Sequence, residues 1–170
     1  MNFKKAVYIL SVFTTLAINS QAQEATRKVG LSATLQGNQY GIAVPIWAGK
    51  KYVVEPNVFI KSAQSIGSQF GLGVAQRFYF NQKILAPYAG VTVGSLISIP
   101  SSSAIPKSDT QIDILAGASI GAEYFIAPQF SFRVEAQANF TKSGEKSNQF
   151  GNPGNVNFNT GTLISASIYF

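Results

Sequence analysis

Residues 157–170 read NFNTGTLISASIYF. Phe158, Thr160, Thr162, Ile164, Ala166, Ile168 and Phe170 share one parity, while Asn157, Asn159, Gly161, Ser165, Ser167 and Tyr169 share the other. Successive side chains of a strand point to opposite sides, so a period of two over this length predicts a β-strand with one apolar and one polar face.

Working back from this strand, the same alternation recurs in seven more segments. These are 28–36 (Val29, Leu31, Ala33, Leu35), 39–47 (Tyr40, Ile42, Val44, Ile46), 52–63 (Val54, Pro56, Val58, Ile60) and 68–80 (Phe70, Leu72, Val74, Phe78, Phe80). They continue with 85–98 (Pro87, Ala89, Val91, Val93), 111–125 (Ile112, Ile114, Ala116, Ala118, Ile120, Ala122, Tyr124) and 129–140 (Phe130, Phe132, Val134, Ala136, Ala138, Phe140). Turn chemistry separates them, from Gly37-Asn38 at the start to Ala127-Pro128 near the end. No helical period appears after residue 22. Eight strands joined in sequence by hairpins predict an all-β, antiparallel, up-and-down barrel, because closure removes the unpaired edges that a long apolar sheet exposes.

The polar face decides which side of the wall meets which solvent. Its charges are Glu55, Lys61, Arg77, Asp113, Glu123, Arg133 and Glu135. A water-facing exterior would be about 25–35% charged, which this face is far from reaching. Glycine gives the sharper argument. Six of the fifteen glycines lie in turns or loops, and the other nine (Gly30, Gly41, Gly71, Gly73, Gly90, Gly94, Gly117, Gly121 and Gly161) all carry the parity of the polar face. Glycine weakens a strand unless crowding demands it, and the interior of an eight-stranded barrel is only just wide enough for side chains. The polar face is therefore expected inside and the apolar face in a bilayer, since so large an apolar belt exceeds what a soluble monomer tolerates. A soluble, lipocalin-like carrier with the opposite orientation is the weaker alternative.

The first 22 residues stand apart from this pattern. Lys4 and Lys5 precede a mostly apolar run over 6–18, and Ser20 and Ala22 supply the small residues of a cleavage site. The run falls short of the roughly 20 residues a spanning helix needs, so 1–22 is read as a secretory signal peptide and 23–170 as one barrel domain. Losing two lysines leaves eleven basic residues against seven acids, a net charge of +4, too mild to argue for nucleic acid. The absence of Cys excludes a disulfide framework and a lipoprotein anchor. With neither His nor Cys, the usual general base and the common zinc ligands are missing, so no catalysis, metal or cofactor is expected.

Connection lengths are asymmetric. Connections at 48–51, 81–84 and 126–128 are short, whereas the two long ones, 99–110 and 141–156, open on the opposite side. Outer-membrane barrels place short turns in the periplasm and long loops outside. Trp47, Tyr52, Phe78, Phe80, Tyr124, Phe130, Phe132 and Phe170 collect at the short-turn side, where an interfacial girdle is expected.

On these features the chain resembles the small eight-stranded outer-membrane β-barrels of Gram-negative bacteria, of the OmpA-transmembrane-domain and OmpX type. The resemblance implies a monomeric, multi-pass barrel in the outer membrane, surrounded by its lipid and lipopolysaccharide. It also implies an assembly signal read by the barrel-assembly machinery, here Phe170 with Ile168, Ala166 and Ile164. No peptidoglycan-binding domain of the OmpA kind follows the barrel pattern, so wall anchoring is not implied.

The inward charges are the candidate site. Pairing Lys61 with Gly71 would set Glu55 opposite Arg77, and pairing Gly121 with Glu135 would set Glu123 opposite Arg133. Two cross-strand ion pairs in the periplasmic half of the lumen are expected, with Glu135 nearby. They suit a polar plug, or alternatively a gate or proton path. The function that follows is structural or surface-interactive through the two long loops, with a narrow channel as the alternative.

Overall fold

The structure, a computed structural model, describes residues 28–63, 67–100, 110–147 and 151–170. Residues 1–22, read above as a signal peptide, and most of the 99–110 loop lie outside the described residues. Among these residues there is no helix, and every element is a strand of one antiparallel sheet: β1 (Gly30–Gln36), β2 (Gln39–Ala43), β3 (Ile46–Trp47), β4 (Tyr52–Ala63), β5 (Gly67–Tyr79), β6 (Leu85–Pro100), β7 (Gln111–Ala127), β8 (Phe130–Lys142) and β9 (Val156–Tyr169). Apart from β2 and β3, which both pair with β4, each strand neighbours the next in sequence; β1 pairs with β9 and β2 with both β1 and β4, so the sheet closes.

The barrel has eight staves, because β2 and β3 are two halves of one. Segment 39–47 is not the single strand its alternation predicts; it breaks at Val44-Pro45, where proline has no N–H for the ladder. The wall nevertheless holds: the Val44 N–H donates to the Pro56 carbonyl (2.9 Å), and the Pro45 carbonyl accepts from the Gly30 N–H (2.8 Å).

Burial is inverted relative to a soluble protein. Ile120 (68% exposed), Ile114 and Val93 cover the outside, while Asp113 and Glu123 are fully buried. The outward side chains of β8 from Phe130 to Phe140 span about 33 Å of strand, or about 25 Å along the barrel axis at a tilt near 40°. At the short-turn end Tyr52, Phe78, Phe80, Tyr124, Phe132 and Phe170 are exposed. Trp47 departs from the expected girdle. It shares inward parity with Ala43 and Pro45 and packs at a tilt against Tyr79 (ring centres 4.9 Å apart) and Tyr169 (6.4 Å), inside the wall.

The strand glycines make room for this interior. A Cβ at Gly71 would overlap the Phe59 ring, and one at Gly121 would lie 2.5 Å from the Val134 carbonyl oxygen and 2.6 Å from the Tyr88 hydroxyl. Val53, Tyr79, Ala86, Tyr88, Phe125 and Tyr169, with Trp47 against them, fill the lumen at the short-turn end.

Candidate functional site

Immediately above that apolar and aromatic floor lies a network of ionised groups. Arg77 on β5 reaches Glu55 on β4 (Nη2–Oε2 2.5 Å) and Glu123 on β7 (Nη1–Oε2 3.4 Å). Arg133 on β8 grips Glu55 with both terminal nitrogens, each at 2.9 Å. The fork geometry of guanidinium on carboxylate makes this the strongest contact type available to the cluster. Glu123 also accepts hydrogen bonds from the hydroxyls of Tyr79, Tyr169 (2.7 Å) and Ser131 (2.5 Å). Glu135 accepts from Tyr88 (2.6 Å) and from the Gln137 amide (2.6 Å), and makes no ion pair among the described residues. The Arg77 guanidinium lies 5.7 Å and 5.5 Å from the Tyr79 and Tyr88 ring centres, close enough for the electron-rich ring faces to attract its charge.

The five candidate residues thus occupy one cluster; of the two expected ion pairs, Glu55–Arg77 forms, though from a different register, and Glu123–Arg133 does not. Glu55 stands opposite Ala75 and Arg77 opposite Val53, with Lys61 opposite Gln69, a shift of two from the expected register. A shift of two keeps every side chain on its face, so alternation does not discriminate between the registers. The Arg77–Glu55 contact forms anyway, diagonally, because an arginine is long enough to span the offset. Glu123 does lie opposite Arg133. Yet Arg133 pairs with Glu55 across the lumen rather than with its cross-strand neighbour, whose oxygens are taken by three hydroxyls and Arg77.

Sequence reasoning missed the tyrosines. Tyr79, Tyr88 and Tyr169 carry the inward parity near the short-turn ends of their strands, a signal present in the sequence but masked by the expectation that inward means small or charged. Asp113, also inward, serves elsewhere. Its carboxylate accepts from the Gly144 N–H (2.8 Å) and the Ser147 hydroxyl (3.0 Å), tying the start of the β8–β9 connection to β7.

The lumen is not filled throughout. A cavity of about 400 Å³ runs from Glu55, Arg133 and Glu135 past Gln137 and Asn139 to the Gly37-Asn38 turn, with Lys61 on its wall. On the outer face of β9, Ile164 is 49% and Phe170 76% exposed, with Ala166 and Ile168 half-buried between them.

No family model matches the chain, and no curated protein matches it in sequence. Two solved structures are similar in fold. Neisserial surface protein A (NspA) aligns with a TM-score of 0.58 at 12% identity, over 84% of this chain and 93% of that one. The N-terminal β-barrel domain of Pseudomonas aeruginosa OprF aligns with a TM-score of 0.52 at 14% identity, over 84% of this chain and 95% of that one. Closed wall, inverted burial and structural neighbours agree: this chain has the fold of the small eight-stranded outer-membrane barrels.

Proposed function

We propose that the chain is exported and resides in the outer membrane as a monomeric, non-enzymatic barrel with a plugged lumen and a structural or surface-interactive role. One observation carries this reading: an exposed apolar belt around an interior of buried charges, whose height on β8, about 25 Å at the usual tilt of barrel strands, suits the apolar band of outer-membrane barrels. The lack of His and Cys supports a non-enzymatic role. The surface role falls to the connections at 99–110 and 141–156, and lipopolysaccharide is the lipid they would meet. Ile164, Ala166, Ile168 and Phe170 would present the signal to the assembly machinery.

Cell fractionation tests the placement. The chain should co-sediment with outer membrane, resist extraction by alkali, and migrate differently on gels before and after boiling. Recovery in the aqueous fraction would instead favour a soluble carrier. The cavity above Glu55, Arg133 and Glu135 favours one second reading, a narrow channel, since side chains obstruct the lumen chiefly at its short-turn end.

A further inference from the structure

The exposed charged side chains described at the short-turn rim are all basic. Lys28 before β1, Lys50 and Lys51 between β3 and β4, and Lys83 between β5 and β6 are all exposed. Among the described residues no acid is exposed at that end; Glu55, Glu123 and Glu135 face the lumen at 5% exposure or less. None of the four lysines makes an ion pair among these residues. The opposite rim is mixed, with Glu145 exposed beside Lys142 and Lys146, and Lys142 already bonded to the Gly154 carbonyl.

The position of these lysines relative to the apolar belt matters as much as their sign. Lys51 adjoins the exposed Tyr52, Lys83 adjoins the exposed Ile84 and Leu85, and Lys28 adjoins Val29 beside Phe170. An ammonium one residue outside an apolar and aromatic girdle lays its alkyl stem on the girdle and holds its charge at headgroup depth. The turns themselves are short, so they offer no groove for a polymer.

We infer that this rim binds the phosphate groups of anionic phospholipids in the leaflet facing the short turns. The inference deepens, and rests on, the membrane placement proposed above. Clustered lysines at a membrane surface attract anionic lipid by direct charge, an attraction that salt screens.

The test uses the full chain folded into phosphatidylcholine vesicles carrying trace spin-labelled phosphatidylglycerol or phosphatidylcholine. The barrel-associated fraction of each label gives a relative association constant. The native barrel should prefer phosphatidylglycerol by on the order of fivefold. The preference should fall to near unity at high salt, and in the variant carrying Lys28→Gln, Lys50→Gln, Lys51→Gln and Lys83→Gln. It should persist in Lys142→Gln with Lys146→Gln, and gel-shift on boiling confirms that each variant is folded. The inference is overturned if the native barrel shows no preference or the fourfold variant retains it. It is equally overturned if that variant instead loses co-sedimentation with peptidoglycan fragments while its lipid preference is unchanged. Failure of the native chain to insert into any vesicle is a different result, and overturns the placement itself.

Discussion

Glu55 takes part in two of the three ion pairs among the described residues, with one arginine from β5 and a two-nitrogen grip from β8. Arg133→Met removes that grip from a buried carboxylate and should cost roughly 3 kcal/mol, measured by urea unfolding in vesicles. Glu135→Gln should cost less than about 1.5 kcal/mol, because Glu135 is held by a tyrosine hydroxyl and an amide, and an amide oxygen still accepts from the hydroxyl. If the two costs are equal, Glu135 belongs to the ion-pair network and the distinction is wrong. Crowding gives a second test at this scale. Gly71→Ala drives a methyl into the Phe59 ring and should cost about 1–3 kcal/mol; Phe59→Ala in the same chain should recover part of it, a coupling that a simple loss of strand flexibility would not produce. The charged members of the cluster were legible because ionised residues on a strand are few and their parity is unambiguous. Tyr79, Tyr88 and Tyr169 were not, since a tyrosine suits either a membrane interface or a plug, and only its neighbours decide.

For the strands, alternation fixed which face each residue takes but not how far neighbours slide. On β7 and β8 the register is the one expected, with Gly121 against Glu135 and Glu123 against Arg133, whereas β4 and β5 are shifted by two. Any even slip leaves both faces intact, so alternation alone does not choose between the two registers. Pro45 had the opposite fate: its consequence was readable from the missing N–H, yet the unbroken parity of Tyr40, Ile42, Val44 and Ile46 concealed it. Facing is the property most open to test. Ala118 lies outward in the middle of β7, paired with Val91 and Ala138. Ala118→Arg should cost about 2–4 kcal/mol in vesicles, and Ser62→Arg, outward near the end of β4, about 0–1 kcal/mol. Equal small costs at both positions would mean that the apolar face does not meet hydrocarbon.

Barrel closure followed from counting alternating segments, but the contacts that seal the lumen join staves far apart in sequence: Glu55 to Arg133, and Glu123 to Tyr79 and Tyr169. Such partners depend on how the closed wall is sheared, which no single strand's pattern encodes. Ion passage discriminates between the two uses of this interior. If the ion pairs alone obstruct the lumen, then Glu55→Leu with Arg77→Leu should open current steps in a planar bilayer at little cost in stability, as a gate requires. The geometry favours a different outcome. Below the ion pairs the rings of Trp47, Tyr79, Tyr88, Phe125 and Tyr169 still close the short-turn end, with centroid separations of 4.9–6.4 Å among the tilted pairs. The native chain and the Glu55/Arg77 double variant should therefore both be silent. Adding Tyr79→Ala and Tyr169→Ala to that double variant should give conduction, because the four changes together remove ion pairs and rings that lie between the cavity of about 400 Å³ and the short-turn mouth. Discrete current from the native barrel would replace the plug with a channel, and silence in the variant with all four changes, with its boiling-dependent gel shift intact, would show that the remaining side chains reseal the floor.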